Sequence, residues 1–334
     1  MPSRPKTVRR SKPRVLLTGG AGFIGSCFLW KLNSLGIEDV IVVDALDTTE
    51  KWKNLTGKRF EDYLDRAALL ENLRQGKLNH AIDVIVHLGA CSSTTETDAN
   101  YLMENNYRYS RTLAEYALAR GKRFLYASSA ATYGAGEAGY SDRDNDTPRY
   151  RPLNMYGYSK QVFDLWVLKH SLQKKLVGFK FFNVYGPNEY HKDDMRSVVH
   201  KGYQQVKATG KIRLFKSYHP DYADGEQRRD FVYVKDAVDV MAFFLDNPRL
   251  GGIYNLGTGT AQSWNDLAKA IFAALKLPPA IEYIEMPQTL REKYQYFTQA
   301  DVSKLRAAGY KKPLMNLKAG VADYVSILET ANYL

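Results

Sequence analysis

The sequence predicts an α/β protein, with a doubly wound parallel sheet and a smaller α/β substrate-binding lobe. Three observations predict this fold. Short runs rich in Val, Ile and Leu alternate with helical patterns through the first half of the chain. The runs are apolar throughout, as is typical of parallel strands that helices cover on both faces. The first run ends in the glycine-rich stretch TGGAGFIG (18–25), where the chain turns from strand to helix.

The elements of the first half follow from these patterns in chain order. Strands are predicted at RVLLTGG, DVIVVDA, AIDVIVHLGA, KRFLYASS and LVGFKFFNVYG. The 3.6-residue period of apolar positions predicts helices over 23–36, 61–75, 98–120 and 156–171.

The second half is less regular. It has a predicted helix over 193–208, a strand at IRLF and a polar, aromatic loop at KSYHPDYADGEQRRD. FVYVKDAVDVMAFFL predicts a strand and a helix, GIYNLGTG a strand and a turn, and further helices are expected near 263–276, 301–308 and 316–330. We assign 14–181 and 230–250 to the sheet domain and 182–229 and 251–334 to the smaller lobe.

The net charge of +11 is concentrated at the start of the chain. Six basic residues and no acid fall within the first 14 residues, so the remainder is only mildly basic. We predict that residues 1–13 form a disordered tail. A targeting peptide and a nucleic-acid-binding arm are alternatives, but no amphipathic stripe, basic helix or RNA-binding motif supports them. We expect no nucleic-acid or membrane partner and a cytoplasmic location.

The cysteines and histidines exclude two classes of site. The two cysteines, Cys27 and Cys91, are far apart and form no CxxC pair, which is typical of a reducing compartment. The six histidines are scattered and form no metal-binding motif. The sequence therefore predicts neither a disulfide framework nor a metal site.

A dinucleotide site is predicted where the first strand meets the first helix. Gly19, Gly22 and Gly25 would let the backbone turn sharply and approach a pyrophosphate at the helix N-terminus. The next strand ends in Asp44, where a carboxylate would meet the adenosine ribose. The alternative is a tight strand–helix turn that binds nothing.

The residues leave the choice between NAD and NADP open. Asp44 favours NAD, because a carboxylate accepts hydrogen bonds from a ribose 2′-hydroxyl and repels a 2′-phosphate. The loop that follows carries cations that could neutralise a phosphate: Lys51, Lys53, Lys58, Arg59 and Arg66. The same cations fit a solvated charged loop equally well.

A catalytic set is predicted at the carboxyl end of the strand KRFLYASS, where doubly wound folds place their chemistry. This strand end supplies Ser128 and Ser129. Farther along, Tyr156 and Lys160 are four residues apart and share one face of a helix. A serine that orients a hydroxyl, a tyrosine that takes its proton and a lysine that lowers the pKa of the phenol would form a base beside a nicotinamide.

The chain resembles the extended short-chain dehydrogenase/reductase family in three motifs: TGGAGFIG, SSAATYG and YGYSK. It resembles more narrowly the family of ADP-L-glycero-D-manno-heptose 6-epimerases, in LGACSSTTE, ENNYRYS, FFNVYGPNEYHK, RRDFVYVKD, YNLGTGTAQSW and YQYFTQADVSKLRAAGY. The resemblance covers about residues 14–325. It implies a Rossmann domain, an ADP-heptose substrate, a homo-oligomer such as the pentamers of relatives, and a role in making the heptose of lipopolysaccharide core.

The resemblance also implies roles for individual residues. Tyr156 and Lys192 match the two acid/base positions, Lys160 the cofactor lysine and Ser129 the assisting serine. The NADP positions correspond to Gly19, Gly22, Phe23, Ile24, Gly25, Asp44, Ala45, Lys51, Arg66, Leu88, Gly89, Ala90, Cys91, Ser92, Asn105, Lys160, Val184 and Lys192. Cations at both Lys51 and Arg66 then favour NADP over NAD. The substrate positions correspond to Asn183, Asp194, Lys201, Phe215, Lys216, Ser217, Arg229 and Tyr294.

Three departures from the family pattern affect the substrate contacts. Asp194 stands where a serine is common, and Lys201 where a histidine is common. The loop SYHPDYADGEQ is longer than in some relatives. An acid at 194 would repel a diphosphate, which argues against its direct contact with the substrate.

The implied reaction needs two acid/base groups. The C5–C6 bond of the oxidised sugar must rotate before the hydride returns to the other face of C6, and after this rotation the oxygen points away from the first group. The resemblance makes Lys192 the second group beside Tyr156, whereas its surroundings alone favour a surface lysine beside Asp193 and Asp194. A nucleotide-sugar 4-epimerase would leave Lys192 idle. A 4,6-dehydratase would need acids where the chain has Ala130 and Ala131, and a non-catalytic NADP sensor would have no use for Tyr156 and Lys160.

Overall fold

A computed structural model of the protein describes residues 12–78, 81–291 and 294–334. The predicted disordered tail, 1–13, lies almost entirely outside these residues. The described strands are β1 (Val15–Thr18), β2 (Val40–Asp44), β3 (Asp62–Asp65), β4 (Val84–His87), β5 (Arg123–Ser129), β6 (Leu176–Phe181), β7 (Asn183–Tyr185), β8 (Ile212–Phe215), β9 (Arg228–Tyr233), β10 (Gly252–Leu256), β11 (Ala261–Ser263) and β12 (Ile281–Ile284).

The helices alternate with the strands through the first half, as the sequence predicts. They are α1 (Phe23–Ser34), α2 (Arg66–Arg74), α3 (Ala99–Leu102), α4 (Tyr109–Ala119), α5 (Met155–Lys169), α6 (Val198–Thr209), α7 (Val234–Asp246), α8 (Trp264–Ala274), α9 (Gln288–Arg291), α10 (Ser303–Ala307) and α11 (Leu317–Glu329). A π-helical stretch, Met103–Arg108, joins α3 to α4. No helix among the described residues combines the length and the apolar character that crossing a membrane requires.

The large sheet has seven parallel strands in the order β10-β6-β5-β4-β1-β2-β3. The predicted doubly wound fold is thus confirmed. The strands that follow β1 in the chain, β2 and β3, lie on one side of it, whereas β4 lies on its other side and is followed outward by β5, β6 and β10. The loops after β1 and β4 therefore diverge and leave a crevice at the carboxyl ends of these strands.

Alternate residues of the same strands enter two cores, one on each face of the sheet. Leu17, Val42 and Val86 pack beneath α1 and α7, whereas Ile41 and Ile85 pack beneath α2, α4 and α5. These five side chains are fully buried. Because both faces are covered, consecutive positions within β1, β2 and β4 are apolar up to their last residue, and these strands can be recognised as continuous apolar runs in the sequence.

The predicted helix 61–75 is wrong at its start. Asp62–Asp65 instead forms β3, which pairs in parallel with β2 at the sheet edge. Tyr63 packs with one core and Leu64 with the other, which is the two-residue period of a strand. The helix begins only at Arg66, because Asp65 caps it by accepting a hydrogen bond from the amide of Ala67.

The predicted helix 193–208 also begins too early. Residues Tyr190–Met195 form a 3₁₀ turn in which Asp193 has a φ of 44°, and α6 starts only at Val198. The buried carboxylate of Glu189 accepts hydrogen bonds from both the amide and the hydroxyl of Ser197, 2.6 Å each. These bonds hold the chain in a turn where apolar periodicity alone suggests a helix.

Two small sheets extend the structure beyond the large one. In the first, β9 pairs with β7 in parallel and with β11 antiparallel; in the second, β8 pairs with β12 in parallel. Strand β9 begins at Arg228, inside the predicted loop 216–230. Strand β10 pairs with β6 in the large sheet, although the sequence assigns residues from 251 onward to the smaller lobe.

A buried ion pair fastens α5 to the large sheet. Asp164 of α5 and Lys180 of β6 have no exposed side-chain surface, and their charged atoms are 2.8 Å apart. Asp164 also accepts hydrogen bonds from the hydroxyls of Tyr126 and Ser128 on β5, and Lys180 donates to Thr132. One carboxylate thus links a helix to two adjacent strands.

We expect Lys180→Met to lower the free energy of unfolding by about 3–5 kcal/mol, because it leaves the Asp164 carboxylate buried without its counter-charge. Urea unfolding at neutral pH measures this. Lys235→Met is the matched control: Lys235 is 2.7 Å from Asp323 in a partly exposed pair, and its loss should cost at most about 1 kcal/mol. Equal effects of the two variants would contradict the prediction.

Candidate active site

A cavity of about 590 Å³ opens at the carboxyl ends of β1, β4, β5 and β6. A second cavity, of about 230 Å³, continues it toward the end of β2. Both are lined by Gly19, Asp44, Lys51, Gly89, Ala90 and Cys91, so they form one elongated crevice. This shape suits an extended ligand such as a dinucleotide.

Glycines are required where β1 approaches the loop after β4. Gly19 has a φ of 70°, and a Cβ there would lie 2.6 Å from the amide nitrogen of Gly89. A Cβ at Gly25 would lie 1.9 Å from the carbonyl oxygen of Gly19. Helix α1 starts at this loop without a side chain that caps it. Its first amides are therefore available to an anion such as a pyrophosphate.

Asp44 is held rigidly at the end of β2. Its carboxylate accepts hydrogen bonds from the amides of Ala21 and Ala45, at 2.9 and 2.8 Å, and pairs with the ammonium of Lys51 at 2.8 Å. The bond to Ala21 ties β2 to the glycine loop. The bond to Lys51 places a cation directly beside the carboxylate, at the position predicted for the adenosine ribose.

The smaller cavity is lined on its far side by the π-helical stretch. Arg66 donates a hydrogen bond to the side chain of Asn105, and both line the cavity. The buried Asn106 binds the amide and the carbonyl of Cys91, at 2.9 and 3.0 Å. These bonds fix the loop after β4, so the π-helical stretch shapes this end of the crevice.

Tyr156, Lys160 and Ser129 all line the larger cavity. Burial raises the pKa of the Tyr156 phenol, and a hydrogen bond with Ser129 opposes this only in part. Lys160 donates to the carbonyl of Ala127 at 3.0 Å, and burial lowers its pKa to about 8. The predicted lowering of the phenol pKa by Lys160 is therefore not found: in the structure, burial dominates.

Lys192 also lines the larger cavity, although it comes from the 3₁₀ turn 190–195 and not from the sheet. Its ammonium lies 5.6 Å from the centroid of the Phe23 ring, within cation–π range. Burial lowers the pKa of Lys192, which the nearby carboxylate of Glu189 opposes. Its side chain thus faces the same cavity as Tyr156, from a different element.

The two cavities account for every residue that the resemblance placed in the cofactor and acid/base sets. Ala45, Arg66 and Asn105 line the smaller cavity, and the others line the larger one. Several side chains that the sequence did not single out also line the larger cavity, among them Phe181, Phe182, His191 and Met195. Asn54 contacts the ring of His191. The position of His191 beside Lys192 is the only sequence signal that points to it.

The predicted substrate residues lie in more than one place. Asn183 lines the larger cavity. Arg229 of β9 is buried; its guanidinium lies 5.2 Å from the ring centroid of Tyr294 and 5.8 Å from that of Trp264. Trp264, which was not predicted, also donates to the Tyr294 hydroxyl at 2.8 Å. Phe215, Lys216 and Ser217 lie at and just after the end of β8.

Three of the predicted substrate residues have other partners. Asp194 is exposed, and its backbone carbonyl accepts a hydrogen bond from the ammonium of Lys201. Neither residue lines the two cavities. Lys216 forms an ion pair with Glu285 at 2.8 Å. The exposed position of Asp194 agrees with the argument from its charge against a direct contact with the substrate.

The chain matches the NAD dependent epimerase/dehydratase family over residues 15–257. It is 56% identical to the ADP-L-glycero-D-manno-heptose-6-epimerase of Nitratidesulfovibrio vulgaris, over 93% of this chain and 96% of the relative. It is 48% identical to the protein of the same name from Fusobacterium nucleatum, with the same coverage. The crystal structure of the Helicobacter pylori ADP-L-glycero-D-manno-heptose-6-epimerase superposes with a TM-score of 0.80, at 28% identity, over 95% of this chain and 96% of that one. The chain therefore belongs to the NAD dependent epimerase/dehydratase family.

The lowered pKa of Lys160 predicts a pH dependence of stability. Between the folded pKa of about 8 and the ordinary value of 10.5, the unfolded chain binds more protons than the folded one. The contribution of Lys160 to the free energy of unfolding therefore rises with pH in this range. We therefore compare the free energies of unfolding of wild type and Lys160→Met. Between about pH 7.5 and 9.5, that of wild type should rise relative to that of the variant by about 1–2 kcal/mol.

Urea unfolding across this pH range measures the difference. Lys169→Met, at the exposed end of the same helix, is the control and should show no comparable shift. A wild-type advantage over Lys160→Met that stays constant with pH would contradict the lowered pKa.

Proposed function

We propose that this chain is an isomerase that converts ADP-D-glycero-D-manno-heptose to ADP-L-glycero-D-manno-heptose by inverting C6 of the heptose. Relatives at 48–56% identity carry this activity in their names. The observation that carries the proposal is that Tyr156 on α5 and Lys192 on the 190–195 turn line one cavity with the glycine loop. A nucleotide-sugar substrate and a nicotinamide dinucleotide would share the crevice.

The chemistry follows from the fact that C6 bears no acidic proton. A nicotinamide dinucleotide bound in the crevice would accept a hydride from C6 and return it to the other face. The residues of the chain then have to take the hydroxyl proton, hold the 6-keto sugar and deliver a proton on the second side. After rotation about the C5–C6 bond, the oxygen points elsewhere, so one base cannot serve both half-reactions.

Tyr156 and Lys192 meet this requirement from different elements. Tyr156 is supported by Ser129, whose hydrogen bond partly offsets the effect of burial on the phenol. Lys192 is partly desolvated, which lowers its pKa and makes a neutral amine more accessible near neutral pH. One group would act as base while the other acts as acid, and the roles would exchange in the reverse direction.

We also propose NADP as the cofactor. Lys51 neutralises Asp44 at 2.8 Å, which removes the repulsion that a lone carboxylate would exert on a 2′-phosphate. Arg66 lines the same cavity as Asp44 and Lys51. Two cations around the predicted ribose position favour a phosphorylated ribose.

The proposal extends to the setting of the reaction. The product would supply the heptose of lipopolysaccharide core in the bacterial cytoplasm. The chain would work as a homo-oligomer, with residues 182–229 and the segments after β10 contributing the substrate lobe.

Tyr156→Phe and Lys192→Met should each lower net epimerisation by about 10²–10⁴-fold, the usual effect of removing a general acid–base group. The measurement is NMR of the sugar during incubation with ADP-D-glycero-D-manno-heptose. Tyr158→Phe and Lys207→Met, at exposed positions on α5 and α6, are controls and should keep wild-type rates. Near-wild-type turnover by Tyr156→Phe and Lys192→Met would refute the mechanism. Elimination instead of inversion would indicate a dehydratase, and no change a sensor.

Lys51→Ala and Arg66→Ala should each weaken NADP binding by about 10- to 100-fold, as expected for losing a charge-assisted hydrogen bond, and should weaken NAD binding much less. Calorimetric titration of both dinucleotides measures this. Lys53→Ala, which removes a half-exposed cation paired with Glu50, is the control. Equal losses for NAD and NADP, or tighter binding of NAD by wild type, would argue for NAD.

A further inference from the structure

Asn54 lies where the glycine loop meets the turn that carries Lys192. It belongs to the 3₁₀ turn Glu50–Leu55, and only 1% of its surface is exposed. Its side-chain nitrogen is 2.9 Å from the carbonyl oxygen of Ala21 and 3.0 Å from that of Asn188. It is also 3.1 Å from Nδ1 of His191. One amide thus contacts two segments that are far apart in sequence.

The chemistry of these partners determines the orientation of the amide. The carbonyl oxygens of Ala21 and Asn188 can only accept, so the nitrogen of Asn54 must face them, and each takes one of its two hydrogens. Nδ1 of His191 can share in this contact only as an acceptor, which requires a neutral ring. Burial and the charges of Lys51 and Lys192 lower the pKa of His191 to about 4, so the ring is neutral near pH 7.

The turn that carries Lys192 depends on such contacts from outside. Asn188 and Asp193 both have left-handed backbone conformations, with φ of 73° and 44°, which residues other than glycine adopt only at a cost. The side chain of Asn188 donates to the hydroxyl of Ser26 on α1 at 3.0 Å. The turn is therefore held in two ways, by the bonds of Glu189 to Ser197 within the segment and by bonds of residues 188–190 to α1, to Asn54 and to the C-terminal residues 332–334. Of these contacts, only those to α1 and to Asn54 lead toward the glycine loop.

We propose that Asn54 is a positioning residue that places Lys192 in the cavity by holding its turn against the glycine loop. The inference rests on the proposed function to the extent that Lys192 is the second acid/base group. The two ends of the reaction site are thereby coupled: the same amide braces the loop predicted to bind the pyrophosphate and the turn that bears the amine. Tyr156 does not depend on Asn54, because it lies on α5, which the Asp164–Lys180 pair holds to the sheet.

Asn54→Ala tests the proposal with the cofactor-loaded protein. Stopped-flow absorbance of reduced nicotinamide follows hydride removal from each C6 epimer separately. We expect hydride removal to slow by about 10- to 100-fold for one epimer, the usual effect of a small misplacement of a reacting group. That epimer should be the one that Lys192→Met blocks, and the epimer that Tyr156→Phe blocks should react at nearly the wild-type rate.

Asn33→Ala is the matched control. Asn33 also donates from its side-chain nitrogen to two carbonyls, those of Ile37 and Arg59, but it does not contact the Lys192 turn. It should leave both epimers at wild-type rates. Equal slowing of both epimers by Asn54→Ala, or slowing only of the epimer that depends on Tyr156, would overturn the proposal.

A measurement without substrate keeps the inference separate from the proposed function. Hydrogen exchange of the amides of residues 188–195 should accelerate at least tenfold in cofactor-loaded Asn54→Ala, while exchange at 155–160 stays unchanged. Unchanged exchange at 188–195 would overturn the proposal even if epimerisation is confirmed. If wild type oxidises neither epimer, the proposed function fails, and the exchange result alone decides the role of Asn54.

A second variant covers the case in which Asn54→Ala does not fold. Asn54→Ser keeps one hydroxyl donor, which lies one bond closer to the backbone than the amide nitrogen, and leaves a smaller change in polarity than alanine. It should show a smaller change of the same kind, in the same epimer and in the same amides. Wild-type behaviour of a folded Asn54→Ser in both measurements would overturn the proposal.

Discussion

The close approach of two backbones, at Gly19 and Gly89, is the constraint on which the site depends. The strands β1 and β4 are neighbours, so their following loops leave the sheet side by side before they diverge. A side chain at Gly19 would collide with the Gly89 backbone. The absence of side chains at this point lets the crevice reach the sheet edge, and the other groups of the site are arranged around it: Asp44 on one side, Tyr156 and Lys160 on the other.

The two proposed acid/base groups, Tyr156 and Lys192, are supported in different ways. Tyr156 lies on a helix that a buried ion pair and two hydroxyl bonds fasten to the sheet. Lys192 lies on an irregular turn, and the left-handed Asn188 just before this turn is stabilised by bonds to α1 and Asn54. This difference in support fits the proposed reaction, in which Tyr156 would act from a helix of the large sheet and Lys192 from a turn outside that sheet.

The large sheet could be predicted because most of its strands are buried on both faces. Their continuous apolar runs can be recognised from the sequence without knowing what packs against them. Strand β3 was not, because Tyr63 and Leu64 are separated by no polar residue and Asp62 and Asp65 resemble a helix start. The turn at Asp193 depends on a bond between Glu189 and Ser197 that apolar periodicity does not reveal. The proposed cofactor and acid/base residues were named from motifs and from the family resemblance. The role of Asn54 could not be predicted in this way, because it depends on contacts with residues 33 and 134 positions away.

The π-helical stretch Met103–Arg108 gives adjacent asparagines different partners: Asn105 faces Arg66, and Asn106 faces the Cys91 backbone. Such a stretch holds one residue more than a regular α-helix of the same height. Deleting a single residue here would restore regular winding between the same two flanks, and the wide turn that directs Asn105 and Asn106 to different partners would be lost. The length of this segment is thus as necessary to the two contacts as the identity of its asparagines.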